Sequence, residues 1–281
     1  MNPPLNVIAD KIRQAEKIVV GASNGLSIAE GIHIFADNAD FHAHFGDFSQ
    51  KYGFRSMIHG CFYPFPSQES YWAYFARLYH YMNVQKPAGK VMADLRNILK
   101  NKDYFVVTSN FDNHFRQAGF AEERLFEIEG VGTQLQCRQA CSDHVYDGAA
   151  QLEAMYQAEQ NGEIPNELIP RCPNCGGEMK IHVELDRSFQ RDVAWREKQS
   201  AYQAFLHGAQ NQNTLFLELG VGARNQLIKL PFMQQVYARD NAFYITVNKG
   251  EIYIPPEIAA RSLGVDSGLT EWLEQLNAEF A

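Results

Sequence analysis

The sequence predicts an α/β protein built on a mostly parallel, doubly wound sheet, and three observations carry that reading. Short apolar runs that read as buried strands alternate with helical periodicities along the 281 residues. The first run ends in a glycine-bearing turn, Gly21-Ala-Ser-Asn-Gly-Leu-Ser27, placed to open the next helix. The composition, 46% hydrophobic and 21% charged, is that of an ordinary globular chain with enough apolar material for a sizeable core.

Taken in order, Leu5, Ile8, Ile12 and Ala15 recur at helical spacing, and Ile18-Val19-Val20 is a buried strand ending at Gly21. Residues 41–83 are dense in aromatics, with helical periodicity after Ser67, and predict a ring-packed helical part over about 36–100. Within it, His42 and His44 alternate as on one face of a strand; with no third ligand nearby they read as surface residues. Tyr104-Phe-Val-Val-Thr108 is a second strand and Leu125-Phe-Glu-Ile128 a third. From 130 to 183 the chain turns polar and glycine-rich and carries four of the five cysteines, which marks an insertion in a body formed by 1–129 and 184–281. Regular structure resumes with a helix near Trp195–His207, strands Thr214–Leu219 and Phe243–Val247, and a closing amphipathic helix with Leu269, Trp272, Leu273 and Leu276 at i, i+3, i+4 and i+7.

The formal charge of -8 argues against nucleic acid as a partner, because a phosphate backbone is met by a basic surface that releases counterions. No apolar run approaches the 18 or so residues of a membrane span, and the opening MNPPLNVIADKIRQ lacks the pattern of a secretory leader. A cytoplasmic protein with no membrane partner is expected.

Cys137-x3-Cys141 and Cys172-x2-Cys175 form two close pairs, the second in a Cys-Pro-Asn-Cys-Gly-Gly knuckle. Two thiolate pairs held by tight turns suit tetrahedral zinc, which takes soft anionic ligands and undergoes no redox change. An iron–sulfur cluster or two disulfides are the lesser readings, and His144 or His182 stands close enough in sequence to replace a cysteine. Four protein ligands leave no open position for water, so the ion would be structural and would hold a segment too small to bury its own core. Cys61, left over, reads as a small buried apolar residue.

The turn Gly21–Ser27 does not match the G-x-G-x-x-G fingerprint, and alone it is a weak nucleotide signal. Its company is more specific. A glycine turn with Gly25-Leu-Ser-Ile-Ala-Glu-Gly-Ile32, Thr108-Ser-Asn-Phe-Asp112 with Ala118-Gly119, a cysteine-quartet insertion and Gly220-Val-Gly222 follow one another in an order that resembles the sirtuins over about residues 15–280. The chain departs from that family's deacylases in three places. Glu129-Gly130 stands where they have His-Gly, His33-Ile-Phe-Ala36 where they have Pro-Asp-Phe-Arg, and Ser109 where their T-Q-N motif has glutamine. It is more similar to the macrodomain-linked class of sirtuins, through Lys51-Tyr-Gly-Phe54, Phe62-Tyr-Pro-Phe-Pro66, Gln136-Cys-Arg-Gln-Ala-Cys141, Arg171-Cys-Pro-Asn-Cys-Gly-Gly177 and Leu217-Glu-Leu-Gly-Val-Gly222 leading to Pro231-Phe232. That class carries an amide where Glu129 stands.

The resemblance implies a Rossmann-like body with an inserted zinc-binding module and a helical subdomain, NAD as co-substrate, and mono-ADP-ribosyl transfer to a protein with release of nicotinamide. It implies a lipoyl-carrier protein as acceptor and a macrodomain hydrolase as functional counterpart. The residues it assigns to NAD are Gly21, Ala22, Ser23, Gly25, Leu26, Ser27, Ser109, Gly220, Val221, Gly222, Asn225, Asn248 and Lys249, with the pyrophosphate on backbone N–H groups of the Ala22–Ser27 loop. Asn110, Asp112 and Glu129 fall at its catalytic positions, and Cys137, Cys141, Cys172 and Cys175 at its metal ligands. Cleavage of the nicotinamide bond creates a cationic, oxocarbenium-like ribose, which a carboxylate such as Glu129 stabilises, or Glu129 takes a proton from the attacking group. The competing account of Glu129 is a loop carboxylate paired with a nearby arginine, and that of Asn110 and Asp112 is helix capping. His33, Arg187 and Arg224 are further candidates for contact with nicotinamide, substrate or phosphates. Competing with transfer are NAD-dependent deacylation, NAD hydrolysis, and a non-catalytic NAD-sensing module.

Overall fold

The computed structural model describes residues 2–280. Helix α1 (Leu5–Gln14) precedes β1 (Lys17–Ala22), and α2 (Asn24–Ala29) begins two residues beyond the strand. Three helices follow, α3 (Ala39–Tyr52), α4 (Met57–Cys61) and α5 (Gln68–His80), the last continuing into a π-helical turn over Tyr81–Gln85. Then come α6 (Lys90–Ile98), β2 (Asp103–Thr108), α7 (His114–Gln117) and β3 (Leu125–Glu127). The insertion contains β4 (Gly130–Cys137), β5 (Val145–Asp147), α8 (Ala149–Ala158) and β6 (Met179–Val183). The chain closes with α9 (Val193–Gly208), β7 (Thr214–Leu219), α10 (Gln226–Ala238), β8 (Ala242–Asn248), β9 (Ser262–Asp266) and α11 (Leu269–Ala278).

The expected doubly wound sheet is present: six strands in the order β3-β2-β1-β7-β8-β9, every pairing parallel. Alternation along the strands sorts the side chains onto two faces. Ile18, Val20 and Ala22 of β1 and Leu215, Leu217 and Leu219 of β7 meet α1, α6 and α11, whereas Val19 and Phe216 face α9 and α10. Each of the valine, leucine, isoleucine and phenylalanine side chains, fully buried, contributes about 1.5–3 kcal/mol. Chain order runs outward from β1 in one direction through β2 and β3 and in the other through β7 to β9, so the switch point lies between β1 and β7. Ligands of open α/β sheets bind in the crevice outside the carboxyl strand ends at that point. Strand β9 and the module strands β4 and β6 lacked a reading in the sequence.

Residues 130–183 form a second, antiparallel sheet in the order β5-β4-β6. Its apolar residues Leu135, Ile181 and Val183 share one core with the rings of α3–α5, among them Phe41, Phe45, Phe48, Trp72 and Tyr74. Helix α8 packs along α5. The insertion thus completes its core with the helical part, where the sequence suggested a segment organised by metal alone. The His42/His44 strand is corrected to helix: both lie on α3, which Asn38 caps by accepting from the Phe41 N–H at 2.8 Å. His42 pairs with Asp37, and the His44 ring packs on Tyr81 at 5.0 Å.

Candidate active site

The carboxyl end of β1 meets that of β7 at backbone distance. The Gly25 N–H donates to the Gly220 carbonyl at 2.9 Å, and a Cβ on either glycine would collide with the other's Cα. Gly220 also has φ +63, a left-handed conformation that L side chains resist. Asn225 caps α10 by accepting from the Leu227 N–H at 3.2 Å, and its Nδ2 donates to Ser23 Oγ at 3.1 Å and Ser109 Oγ at 2.8 Å. Ser109 Oγ donates to Ser23 Oγ at 3.0 Å. The loops after β1, β2 and β7 are therefore tied by one hydroxyl–amide knot at the switch point.

Beyond the knot, Asn110 Nδ2 donates to the Ser23 carbonyl at 3.1 Å, while its Oδ1 is buried with no partner. Asp112 accepts from the His114 N–H at 3.1 Å and from Ser27 Oγ. Part of the capping account thus holds for Asp112, which closes the turn into α7, yet its other oxygen holds α2. A small pocket opens here, lined by Asn24, Ser27, Ile32, Ile34, Asn110 and Asp112 with Met82 and Phe111. His33, between two of the lining residues, also has a buried ring nitrogen, Nδ1, without a partner. A buried acceptor left unmade costs about 1–3 kcal/mol, so an Asn110 oxygen beside a pocket is suited to a hydroxyl donor such as a ribose or a water.

Glu129 sits where β3 ends and β4 begins, beside the β2 terminus through the Ile128 N–H bond to the Thr108 carbonyl at 2.9 Å. It does not line the Asn110 pocket. Burial, with the neighbouring Glu184 carboxylate adding to it, pushes its acid up to about 7. The arginine pairing is not formed: Arg191 reaches Glu184 at 2.8 Å instead. Gly130, next to it, has φ +90, and its missing Cβ leaves room for the His182 carbonyl.

The remaining residues assigned to NAD spread along the strand ends. Gly21 lies inside β1, and its bare Cα admits Ile228 and Phe232 of α10, so its role is helix–sheet packing. Leu26 and Val221 are buried in the two cores and offer no side chain to a ligand. The amides of Ser23, Gly25 and Leu26 donate to the carbonyls of Leu219, Gly220 and Ser23. Ala22 is a strand residue paired with Thr108 and Leu219. Asn248 and Lys249 stand at the β8 end, Asn248 donating to the Glu251 carbonyl at 3.4 Å and Lys249 exposed. Gly222 lies against the Glu251 carboxylate, which accepts from the Ala223 N–H at 3.1 Å. Arg187 and Arg224 are exposed.

The sequence missed a buried pair behind this edge. Glu218 of β7 and Lys229 of α10 are both buried and ion-paired, and Thr246 Oγ1 of β8 donates to the same carboxylate at 2.7 Å. An acid one residue from a strand end and a lysine inside an apolar helix gave the only signal.

The four paired cysteines converge at the end of β4 and before β6. All four Sγ atoms lie within 4.8 Å of one another, Cys137 and Cys175 at 3.8 Å and Cys141 and Cys172 at 3.4 Å. Thiolates at 2.3 Å around a tetrahedral zinc are about 3.8 Å apart, so the quartet fits that ion. The Cys172 N–H donates to the Gly177 carbonyl and the Gly176 N–H to the Cys172 carbonyl, both at 2.8 Å, which builds the knuckle. His182 is excluded as a ligand, since its Nδ1 meets Gln136 Oε1 at 3.0 Å and its ring stacks on Phe189. Cys61 is buried, and burial pushes its thiol up to about 12, as its reading as an apolar filler requires.

A parallel sheet with a polar knot at its switch point and an appended four-cysteine domain defines a Rossmann-like nucleotide-binding class of protein. No family model matches the chain. A protein ADP-ribosyltransferase of Staphylococcus aureus is 31% identical over 92% of this chain and 82% of its own length. A probable bifunctional ADP-ribose hydrolase/ADP-ribosyltransferase of Fusarium oxysporum is 29% identical over 78% of this chain, which spans 37% of that longer protein. An NAD-dependent protein deacylase of Pseudomonas aeruginosa is 28% identical over 72% and 75% of the two chains. Among solved structures, Sir2Tm bound to a propionylated peptide superposes with a TM-score of 0.59 at 16% identity, covering 99% of this chain and 98% of its own. A Sir2 homologue mutant in complex with ADP-ribose gives 0.61 at 13%, covering 98% and 95%. The chain belongs to the sirtuin family.

Proposed function

We propose that this protein is an NAD-dependent protein mono-ADP-ribosyltransferase that releases nicotinamide, with a structural zinc on Cys137, Cys141, Cys172 and Cys175. The observation that carries the reading is the buried, unpartnered Asn110 Oδ1 beside the pocket at the sheet's switch point. The Staphylococcus aureus transferase, 31% identical, supports the activity.

Bound NAD would supply the ADP-ribosyl group, with nicotinamide as leaving group. Asn110 would hold a ribose hydroxyl or the water beside it, and Asp112, already fixed by Ser27 and the His114 amide, would keep α2 against the β2 loop. Ser23, Ser109 and Asn225 fix the three strand-end loops relative to one another. Gly25 and Gly220 bring two of those loops into backbone contact, and Gly222, Asn225, Asn248 and Lys249 lie on the β7–β8 side, suited to the adenosine half. Glu129 has a carboxyl near the neutral range and no side-chain partner among the described residues, so it can take a proton from an attacking group at the β3 side of the edge. Glutamate in place of the deacylases' histidine changes the base at this position, and the 31% identity to a transferase favours transfer over deacylation.

The acceptor proposed is a lipoyl-carrier protein, with a macrodomain hydrolase as counterpart and the cytoplasm as location. The Fusarium oxysporum relative, named for both hydrolase and transferase, supports the hydrolase link. No helix is long and apolar enough to cross a membrane among the described residues. The test is incubation with NAD and lipoylated or unlipoylated carrier protein, read by intact mass. Addition of one ADP-ribosyl group is expected; loss of an acyl group instead would establish deacylation, and absence of nicotinamide release with every acceptor would establish the sensor.

A further inference from the structure

An open groove of about 710 Å³ runs beside α6, over the start of β2 and against the turn after α7, away from the Asn110 pocket. Arg96, Lys100 and Lys102 line it, and no carboxylate does. In a chain of net charge -8 this is unusual. Elsewhere Arg77, Arg116 and Lys198 each face two acids. Among the described residues the ion pairs leave out Arg96 and Lys100, and the nearby Asp103 is engaged by Lys17 and Arg124. Lys102 Nζ donates only to the carbonyls of Arg13 at 2.7 Å and Ala15 at 3.2 Å, so its charge adds to the groove's field without an acid to offset it.

The cations stand near the C-terminus of α6, where the helix dipole favours one positive charge, but two like charges one turn apart repel. Small residues face them: Ala93 on the helix and Gly119, at φ +74, across the groove. A Cβ built on Gly119 would make only ordinary contact with the Arg96 guanidinium carbon, at 3.5 Å, so the groove wall beside the cation is low. Lys100 lies two residues beyond the end of α6, in a turn closed by its N–H bond to the Asn97 carbonyl at 3.0 Å, so it follows Arg96 by about one turn, ~5 Å, against about 6.6 Å for alternate residues of an extended chain. Separated cations with Lys102 already held by carbonyls suit carboxylates spaced along a backbone, where a single phosphate needs donors converging on one point. We infer that this groove binds an extended acidic segment of a partner protein, with carboxylates at alternate positions meeting Arg96 and Lys100.

The probe is a fluorescein-labelled peptide of four Glu-Ala repeats, titrated with the zinc-replete full chain and read by anisotropy at low ionic strength, ~0.05 M. Arg96→Glu is expected to weaken binding at least tenfold, and Arg55→Glu, an exposed control with the same charge change outside the groove, less than twofold. A peptide of equal charge with its glutamates in adjacent pairs should bind several-fold more weakly. Equal loss in both variants, equal affinity for both peptides, or no binding by the unmodified protein overturns the inference. Displacement of the peptide by millimolar pyrophosphate in preference to unlabelled peptide also overturns it, in favour of a phosphate site. The readout is binding alone, so its failure leaves the proposed transferase reaction untouched.

Discussion

The sheet body and the smaller domain beside it solve one problem in opposite ways. In the body the core is built strand by strand: each β-strand delivers alternate side chains to two helical layers, and parallel pairing sets the register. The smaller domain has short strands and short helices, and its single core joins residues from Ile32 to Val183 around stacked aromatic rings. Strand register holds the first. In the second, four cysteines are brought together at the end of β4 and before β6. An element can therefore be legible by pattern and still depend on a distant partner for its stability.

The largest expected effect tests that contrast directly. Removing metal with a chelator, or Cys172→Ala, should abolish transfer and the near-ultraviolet signal of the ring-packed core, while the far-ultraviolet signal of the sheet body largely persists; structural zinc contributes on the order of 10–16 kcal/mol in small zinc domains. Loss of both signals together would make the two regions one cooperative unit. Next in size is Asn110→Ala, expected to lower kcat/KM by about a hundredfold, or about 2.7 kcal/mol, with the melting temperature nearly unchanged. A large fall in stability with little change in turnover would assign Asn110 to packing.

Glu129→Gln should lower transfer at least tenfold, about 1.4 kcal/mol, with NAD binding retained. The carboxylate is the active form, so the unmodified protein should lose activity as pH falls through about 7, and the variant's profile should be flat there. The sign for stability is opposite. Because the native acid is raised from 4.5 to about 7, its favourable contribution is complete below 4.5 and is lost as pH rises through 7, so the variant should gain relative stability at alkaline pH. The smallest effect is expected of Ser109→Ala, which removes one of the two oxygens that Asn225 grips: a several-fold rise in KM for NAD with kcat preserved. An unchanged KM would show that the knot is redundant.

The body was largely legible because its signals are local. Thr214–Leu219 reads as a strand from composition alone, and Leu269, Trp272, Leu273 and Leu276 fix the closing helix by spacing. The cysteine quartet was legible for the same reason. What escaped depends on tertiary placement. Glycine reads as a nucleotide contact at Gly21, but only the docked α10 reveals the residue as a packing site. Free amides read as phosphate donors, but Gly220 claims the one from Gly25. Aromatic density suggested helix from Ser67 onward, whereas at His42 and His44 a two-residue alternation mimicked a strand that α3 does not form.

The shared core of the smaller domain also has a temporal side. Its rings up to Tyr81 leave the ribosome well before Ile181 and Val183. At about 5–20 residues per second, the intervening ~100 residues take roughly 5–20 s to be made. During that interval the aromatic cluster lacks its covering sheet, and the knuckle cysteines are among the last of the domain to emerge. With the proposed zinc on the quartet, supply of the ion during synthesis would govern how long a sticky surface stays open, and its scarcity should register first as aggregation of new chains, before any loss of activity in those already folded.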